Sequence, residues 1–247
     1  MINRSTNDLM KLKSDNIELT CLEADVYDRL LGLDRKHILE LGCGNAVITR
    51  DIATGGPDRI ITALEVDEIA HEKNLQITDL PNVTFVLGGA EDIPLADESV
   101  DVVFMFKSLH HVPIDLMGSA MREIQRVLKP NGRLYVSEPI YAGEFNEILR
   151  LFHDERFVRE AAFNAVKKAI GDGLFTLVEE VFFKTPMEFE SFDDFETRVL
   201  NVTHTNHNLD AALYQRVKQR FETHLGEHGA RFLIPIRVDV LQRSPAV

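Results

Sequence analysis

The sequence predicts an α/β fold: a doubly wound, mostly parallel seven-stranded sheet, helices on both faces, and a helical cap inserted after the fifth strand. Three observations carry that expectation. Short apolar runs alternate with helix-spaced stretches from His37 to Ser137, which is the rhythm of strands joined by crossover helices. Val100–Phe106 is almost continuously apolar, as a parallel strand covered on both faces requires. A Gly-Cys-Gly turn at 42–44 joins the first strand to the helix that follows it. With 45 % hydrophobic and 27 % charged residues in 247, the chain has material for one domain with an elaboration, and it is neither disordered nor a disulfide-stapled miniature.

Residues 1–36 form an N-terminal arm and helix. Leu19, Leu22, Val26, Leu30 and Leu33 recur at intervals of three and four, so a helix is expected from Ile17 until Gly32 and Asp34 end it. His37–Leu41 is the first strand, and Val47–Ala53 starts a helix. Arg59–Leu64 is the second strand, closed by Glu65-Val66-Asp67, and a helix runs from about Glu68 to Thr78. Val83–Leu87 and Val100–Phe106 are the third and fourth strands, with a loop at 88–95 between them. The helix Leu116–Leu128 stops at Lys129-Pro130-Asn131-Gly132, and Arg133–Ser137 is the fifth strand. Residues 143–230 then hold the cap and an added strand: one helical stretch from Glu144 to about Ile170, a strand at Phe175–Phe189, a helix Phe192–Val202 capped by Ser191, and a helix Leu209–Leu225. Residues 231–247 supply the last strand, Arg231–Leu241, and the tail.

Charge and composition narrow the function classes. The formal charge is −13, and the segments 1–142 and 143–247 each carry more acidic than basic side chains. Neither offers the basic footprint that a phosphate backbone requires, so nucleic acid is not expected as a partner. No apolar stretch approaches the ~20 residues of a spanning helix, and the polar start is no secretory signal, so no membrane is expected. Cys21 and Cys43 make neither a disulfide framework nor a metal motif. A cytoplasmic protein, monomer or homodimer, is the consistent expectation.

A glycine turn between strand and helix lets a ligand approach the backbone closely, beside amides that favour polar groups. Glu65, 21 residues after Gly44, ends the next strand where an acidic side chain can accept both hydrogens of a ribose diol. A dinucleotide-binding dehydrogenase would want a third glycine at position 47, which is Val47. The wider pattern is more specific. Ile38-Leu39-Glu40-Leu41-Gly42-Cys43-Gly44-Asn45-Ala46 resembles the first motif of the class I, Rossmann-like S-adenosylmethionine-dependent methyltransferases. The resemblance continues at Ala63-Leu64-Glu65-Val66-Asp67, at residues 88–95, at Ser99–Val103 leading to Ser108-Leu109-His110-His111-Val112, and at Glu123–Leu134, covering about residues 37–140 in order.

That resemblance implies S-adenosyl-L-methionine as cofactor and residues 37–142 as its binding core. It implies that Glu40, Gly42, Cys43 and Gly44 line the methionine and ribose, that Glu65 holds the ribose hydroxyls with Val66 beside it in the cofactor site, that Gly89, Ala90 and Glu91 lie against the adenine, and that Lys107 stands beside the methionine end. The family usually carries Asp where this chain has Gly89, so Glu91 or a backbone carbonyl must meet the adenine amine.

Methyl transfer from a sulfonium is an in-line displacement, and the protein mainly supplies alignment and exclusion of water. A base is needed only for a nucleophile protonated at neutral pH. His110, His111 and Glu138 follow the fourth and fifth strands at the carboxyl edge of the sheet and are the catalytic candidates, although the histidine pair also suits loop packing and Glu138 also suits a supporting role. Tyr141, His204 and His207 are candidate substrate contacts, and no metal is expected because no ligand set completes the His204–His207 pair. The resulting expectation is an enzyme methylating a small-molecule acceptor beneath the cap. The alternatives are a cofactor-binding protein without transfer activity and a scaffold subunit.

Overall fold

The computed structural model describes residues 10–202 and 207–245. The strands are β1 (His37–Leu41), β2 (Ile60–Glu65), β3 (Val83–Leu87), β4 (Val100–Phe106), β5 (Leu128–Pro139), β6 (Phe175–Phe189), β7 (Leu225–Gly226) and β8 (Gly229–Arg243). The helices are α1 (Glu23–Leu30), α2 (Val47–Thr54), α3 (Glu68–Asn74), α4 (Met117–Val127), α5 (Glu144–Leu149), α6 (Arg156–Gly171), α7 (Phe192–Phe195) and α8 (Ala211–Glu222). The sheet order is β3-β2-β1-β4-β5-β8-β6, with the two-residue β7 folded back on β8. β1 to β5 pair in parallel, whereas β8 runs antiparallel to both of its long neighbours.

Alternation along the central strands divides the core into two layers. Ile38, Val102, Phe104 and Tyr135 face one layer, which also holds Val26 and Tyr27 of α1, Ile52 of α2 and a phenylalanine cluster from β6, α7, α8 and β8. Leu39, Leu41, Val103 and Met105 face the other, packed on Met117, Met121 and Ile124 of α4 and on Ala162, Phe163 and Val166 of α6. A helix layer on each face is the doubly wound arrangement, and it leaves the carboxyl ends of β1, β2, β4 and β5 as one open edge.

Several boundaries differ from those expected. The N-terminal stripe becomes helical only from Glu23. Lys184 of the sheet-edge strand β6 donates its N–H to the Leu19 carbonyl (2.8 Å) and accepts from Cys21 N–H (3.1 Å), so residues 19–21 are drawn along that edge as extended chain. β5 begins at Leu128, with the ladder passing from Val100↔Leu128 to Val102↔Arg133 and residues 129–132 accommodated as a local irregularity. The single helix expected over 144–170 is two, α5 and α6, broken between them where Leu151 and Phe152 pack into the core. Ser191 does cap α7, accepting from Asp194 N–H at 3.2 Å, but the turn widens to a π-helix over Glu196–Leu200.

Candidate active site

The turn after β1 is built on two left-handed glycines, Gly42 (φ 76°) and Gly44 (φ 54°). A β-carbon on Gly42 would also lie 2.7 Å from Ser108 Cβ, so that position excludes any side chain. The turn is tied to β2, because Leu64 O accepts from both Gly42 N–H (2.9 Å) and Cys43 N–H (3.0 Å). From α3, Asn74 Nδ2 donates to Gly44 O at 2.8 Å and to Cys43 Sγ at 3.5 Å. Cys43 is buried there, which pushes its thiol pKa up and leaves it an unreactive filler.

Glu65 at the end of β2 reaches over this turn. Its Oε2 accepts from Gly44 N–H at 2.6 Å, and its Oε1 from Val66 N–H and Asp67 N–H at 2.9 Å each. The carboxylate is thus fixed at the mouth of the turn, while the Val66 side chain is exposed beside it. Glu40, fully buried in β1, accepts from Thr49 Oγ1 at 2.6 Å. Burial raises its pKa to about 7, against the lowering effect of the Thr49 hydroxyl. In the loop after β3, Ala90 is buried, and a β-carbon on Gly89 would collide with the Glu91 carboxylate. Glu91 therefore occupies the space a side chain at 89 would use.

The second group sits past β4 and β5. Lys107, at φ 54°, turns the chain out of β4, and its ammonium lies 4.0 Å from Glu23 Oε2. His110 is buried between two carboxylates: Nδ1 pairs with Glu138 of β5, and Nε2 lies 3.6 Å from Glu155 Oε1. Burial by itself would lower the His110 pKa, but the Glu138 and Glu155 charges outweigh it and raise the value to about 9. The same pairing, with Arg159 beside Glu155 and Arg237 beside Glu138, holds both carboxyls below their usual range despite burial. His111 is exposed, with its ring 4.1 Å from that of His110. A cavity of about 180 Å³ opens here, with Lys107, both histidines, Glu155, Arg159 and Asn146 at its polar side and Ile140, Phe145, Met187 and Leu233–Pro235 at its apolar side.

The remaining predicted contacts are placed elsewhere. Tyr141 is half-buried on the turn after β5 and does not line this cavity. His207 packs edge-on against Phe152 (4.9 Å) and His153 (5.1 Å), away from the lining, and His204 lies outside the described residues. Glu155, Arg159 and Asn146 escaped the sequence reading, because they belong to no motif and one continuous helix was expected across them. Their only sequence signal is the Glu155/Arg159 spacing of i,i+4. His110, His111 and Glu155 present ligand atoms within 4.8 Å of one another. The buried charges there already balance, two carboxylates against an imidazolium and a guanidinium. A larger cavity, about 540 Å³, lies between α4 and α6 and shares no lining residue with this one.

A turn without side-chain bulk, a carboxylate at its mouth and a buried carboxyl poised to ionise beside a cation suit S-adenosylmethionine, a nucleoside that carries positive charge. Residues 39–136 match the family described as a methyltransferase domain. The O-methyltransferase rstn1 of Aspergillus nomiae is 31 % identical over 190 residues, which cover 74 % of this chain and 80 % of that one. The sterol 4-C-methyltransferase strm-1 of Caenorhabditis elegans is 30 % identical over 52 % of this chain and 39 % of its own. Among solved structures, the YcgJ protein of Bacillus subtilis superposes with a TM-score of 0.59 at 16 % identity, covering 90 % of this chain and 98 % of that one. A SAM-dependent methyltransferase from Methanosarcina mazei gives 0.57 at 17 %, covering 92 % and 100 %. Fold and glycine turn together define a class I methyltransferase. The chain belongs to the S-adenosylmethionine-dependent methyltransferase family. No helix among the described residues is long and apolar enough to cross a membrane.

Proposed function

We propose that the protein transfers a methyl group from S-adenosylmethionine to a small-molecule acceptor held in the cavity beneath the cap. The observation that carries this is the position of that cavity. It begins at Lys107, at the carboxyl end of β4, and is roofed by α5, α6, β6 and β8, so an acceptor inside it would lie beside the methionine end of a ligand seated on the glycine turn. Glu40, Gly42, Cys43 and Gly44 line the methionine and ribose, Glu65 holds the ribose hydroxyls with Val66 beside it, and Gly89, Ala90 and Glu91 bound the adenine, with the Glu91 carboxylate standing in for the acidic residue missing at 89. The cofactor supplies an electrophilic methyl group; the chain supplies alignment and a dry, apolar wall.

For a hydroxyl acceptor, as the name of the Aspergillus relative suggests, a proton must leave as the new bond forms. His110 is protonated at neutral pH by its two carboxylates, so that proton goes to His111, and Glu138 acts by holding His110. The decisive assay incubates the protein with S-adenosylmethionine and a panel of small hydroxyl, amine and carboxyl compounds, following S-adenosylhomocysteine release and product mass. His111→Ala should reduce turnover of hydroxyl acceptors at least tenfold with S-adenosylhomocysteine affinity unchanged. Normal turnover by that variant would remove His111 from the chemistry, and no release with any acceptor class would overturn the reading.

A further inference from the structure

At the polar end of the acceptor cavity two donors are left over. Arg159 uses Nη2 on the Glu155 carboxylate and Nη1 on Asn146 Oδ1 (3.2 Å) and Ile140 O (3.4 Å). Its Nε is buried and has no partner among the described residues. Asn146 spends Oδ1 on that guanidinium, which fixes the amide orientation because a guanidinium only donates. Asn146 Nδ2 is then also buried without a partner. Both residues line the cavity, and both are more than nine-tenths buried, at 5 % exposure for Asn146 and 8 % for Arg159. Buried N–H groups are almost always paired, so two orphaned donors on hydrogen-bonded residues that both line the cavity ask for an acceptor atom from a ligand. The rest of the wall, Ile140, Phe145, Met187 and Leu233 among it, asks for an apolar body.

We propose that Asn146 and Arg159 are specificity-determining residues, and that the acceptor molecule is an apolar compound bearing a carboxylate or carbonyl oxygen that accepts from Asn146 Nδ2 and Arg159 Nε. This rests on the reading of the cavity as the acceptor pocket. The two residues are contributed by α5 and α6, so the cap selects the acceptor while the sheet edge holds the cofactor. Glu155 is excluded as the recognising group because His110, His153 (3.1 Å) and Arg159 already surround it.

The test is calorimetric, on the full chain saturated with S-adenosylhomocysteine, using four probes of matched body: 3-phenylpropanoate, 4-phenylbutan-2-one, 3-phenylpropylamine and propylbenzene. The carboxylate and the ketone should bind at least tenfold more tightly than the amine and the hydrocarbon, and their order tells an anionic handle from a neutral one. Asn146→Asp keeps an oxygen for Arg159 but replaces the free donor with an acceptor. It should weaken 3-phenylpropanoate at least tenfold while S-adenosylhomocysteine affinity stays within twofold. Equal binding of all four probes, no binding of any, or full carboxylate affinity in Asn146→Asp would overturn this inference alone. Failure of S-adenosylhomocysteine to bind would overturn the methyl-transfer reading and this inference with it.

Discussion

Glu40 is a buried carboxyl with one hydroxyl partner and a pKa raised to about 7 by burial. At neutral pH it is therefore close to half ionised, and a cation seated beside it would favour the charged form. Affinity for S-adenosylhomocysteine, whose ammonium remains cationic, should rise about tenfold between pH 6 and 8, with a proton released on binding. His110 at about 9 and the depressed Glu138 and Glu155 do not titrate in that window. Calorimetry in buffers of different ionisation enthalpy reads the proton directly, and a flat profile would remove Glu40 from the cofactor site. Glu65 is the complementary case, a carboxylate held ready by three backbone N–H groups. Glu65→Ala should weaken S-adenosylhomocysteine by tenfold or more, about 1.4 kcal/mol, by equilibrium titration; unchanged affinity would refute its role at the ribose.

At the scale of elements, α3 links the cofactor turn to the rest of the sheet. Asp67 caps it, accepting from Ile69 N–H (2.8 Å) and Ala70 N–H (3.3 Å), and its last residue, Asn74, holds Gly44 O. Asp67→Ala should cost about 1 kcal/mol of stability and also loosen the turn, lowering S-adenosylhomocysteine affinity severalfold. Ser191→Ala removes the comparable cap of α7, remote from the turn, and should cost a similar stability with affinity unchanged; denaturant melts beside titrations separate the two outcomes. The contrast also shows which elements were legible. β1, β3, β4 and β6 have the bounds their apolar runs implied, because each run is closed by polar or turn residues. The helix boundaries were poorly legible wherever tertiary contacts overrode local spacing. Residues 19–21 lie within the helical stripe but pair with the β6 edge. Residues 150–155 continue the stripe of 144–170 but break, and the break turns Glu155 toward His110. The same distinction holds in the candidate site. Gly42, Gly44 and Glu65 are local in sequence and form a readable motif, whereas Asn146, Glu155 and Arg159 acquire their meaning from a helix break and a cavity that no spacing encodes.

For the whole molecule, the buried cluster of His110, Glu138, Glu155 and Arg159 joins the sheet edge to the cap, so its ionisation bears on global stability. His110 has its folded pKa raised from 6.5 to about 9. The stability this provides is complete below about pH 6.5 and is lost as pH rises through 9. Glu138 and Glu155 are depressed, so their contribution is present above about pH 4.5, the ordinary carboxyl value, and is lost on acidification. Glu40, whose folded pKa of about 7 stands above the ordinary 4.5, contributes stability that is complete below about pH 4.5 and lost as pH rises through 7, so its loss precedes that of His110. The ligand-free protein should therefore be most stable near pH 5–6. The His110 shift alone corresponds to about 3 kcal/mol, and at roughly 2–4 °C per kcal/mol for a chain of this size the melting temperature should fall by at least ~6 °C between pH 6 and 9.5. Glu155→Gln removes one of the two charges that hold the proton on His110, so it should lower the melting temperature at pH 6 and make the decline toward pH 9.5 shallower. Equal slopes in the two proteins would mean that Glu155 does not set the His110 charge, and a flat wild-type profile would mean that the imidazole is neutral in the folded protein. That second result would return His110 to the list of groups able to take the acceptor's proton.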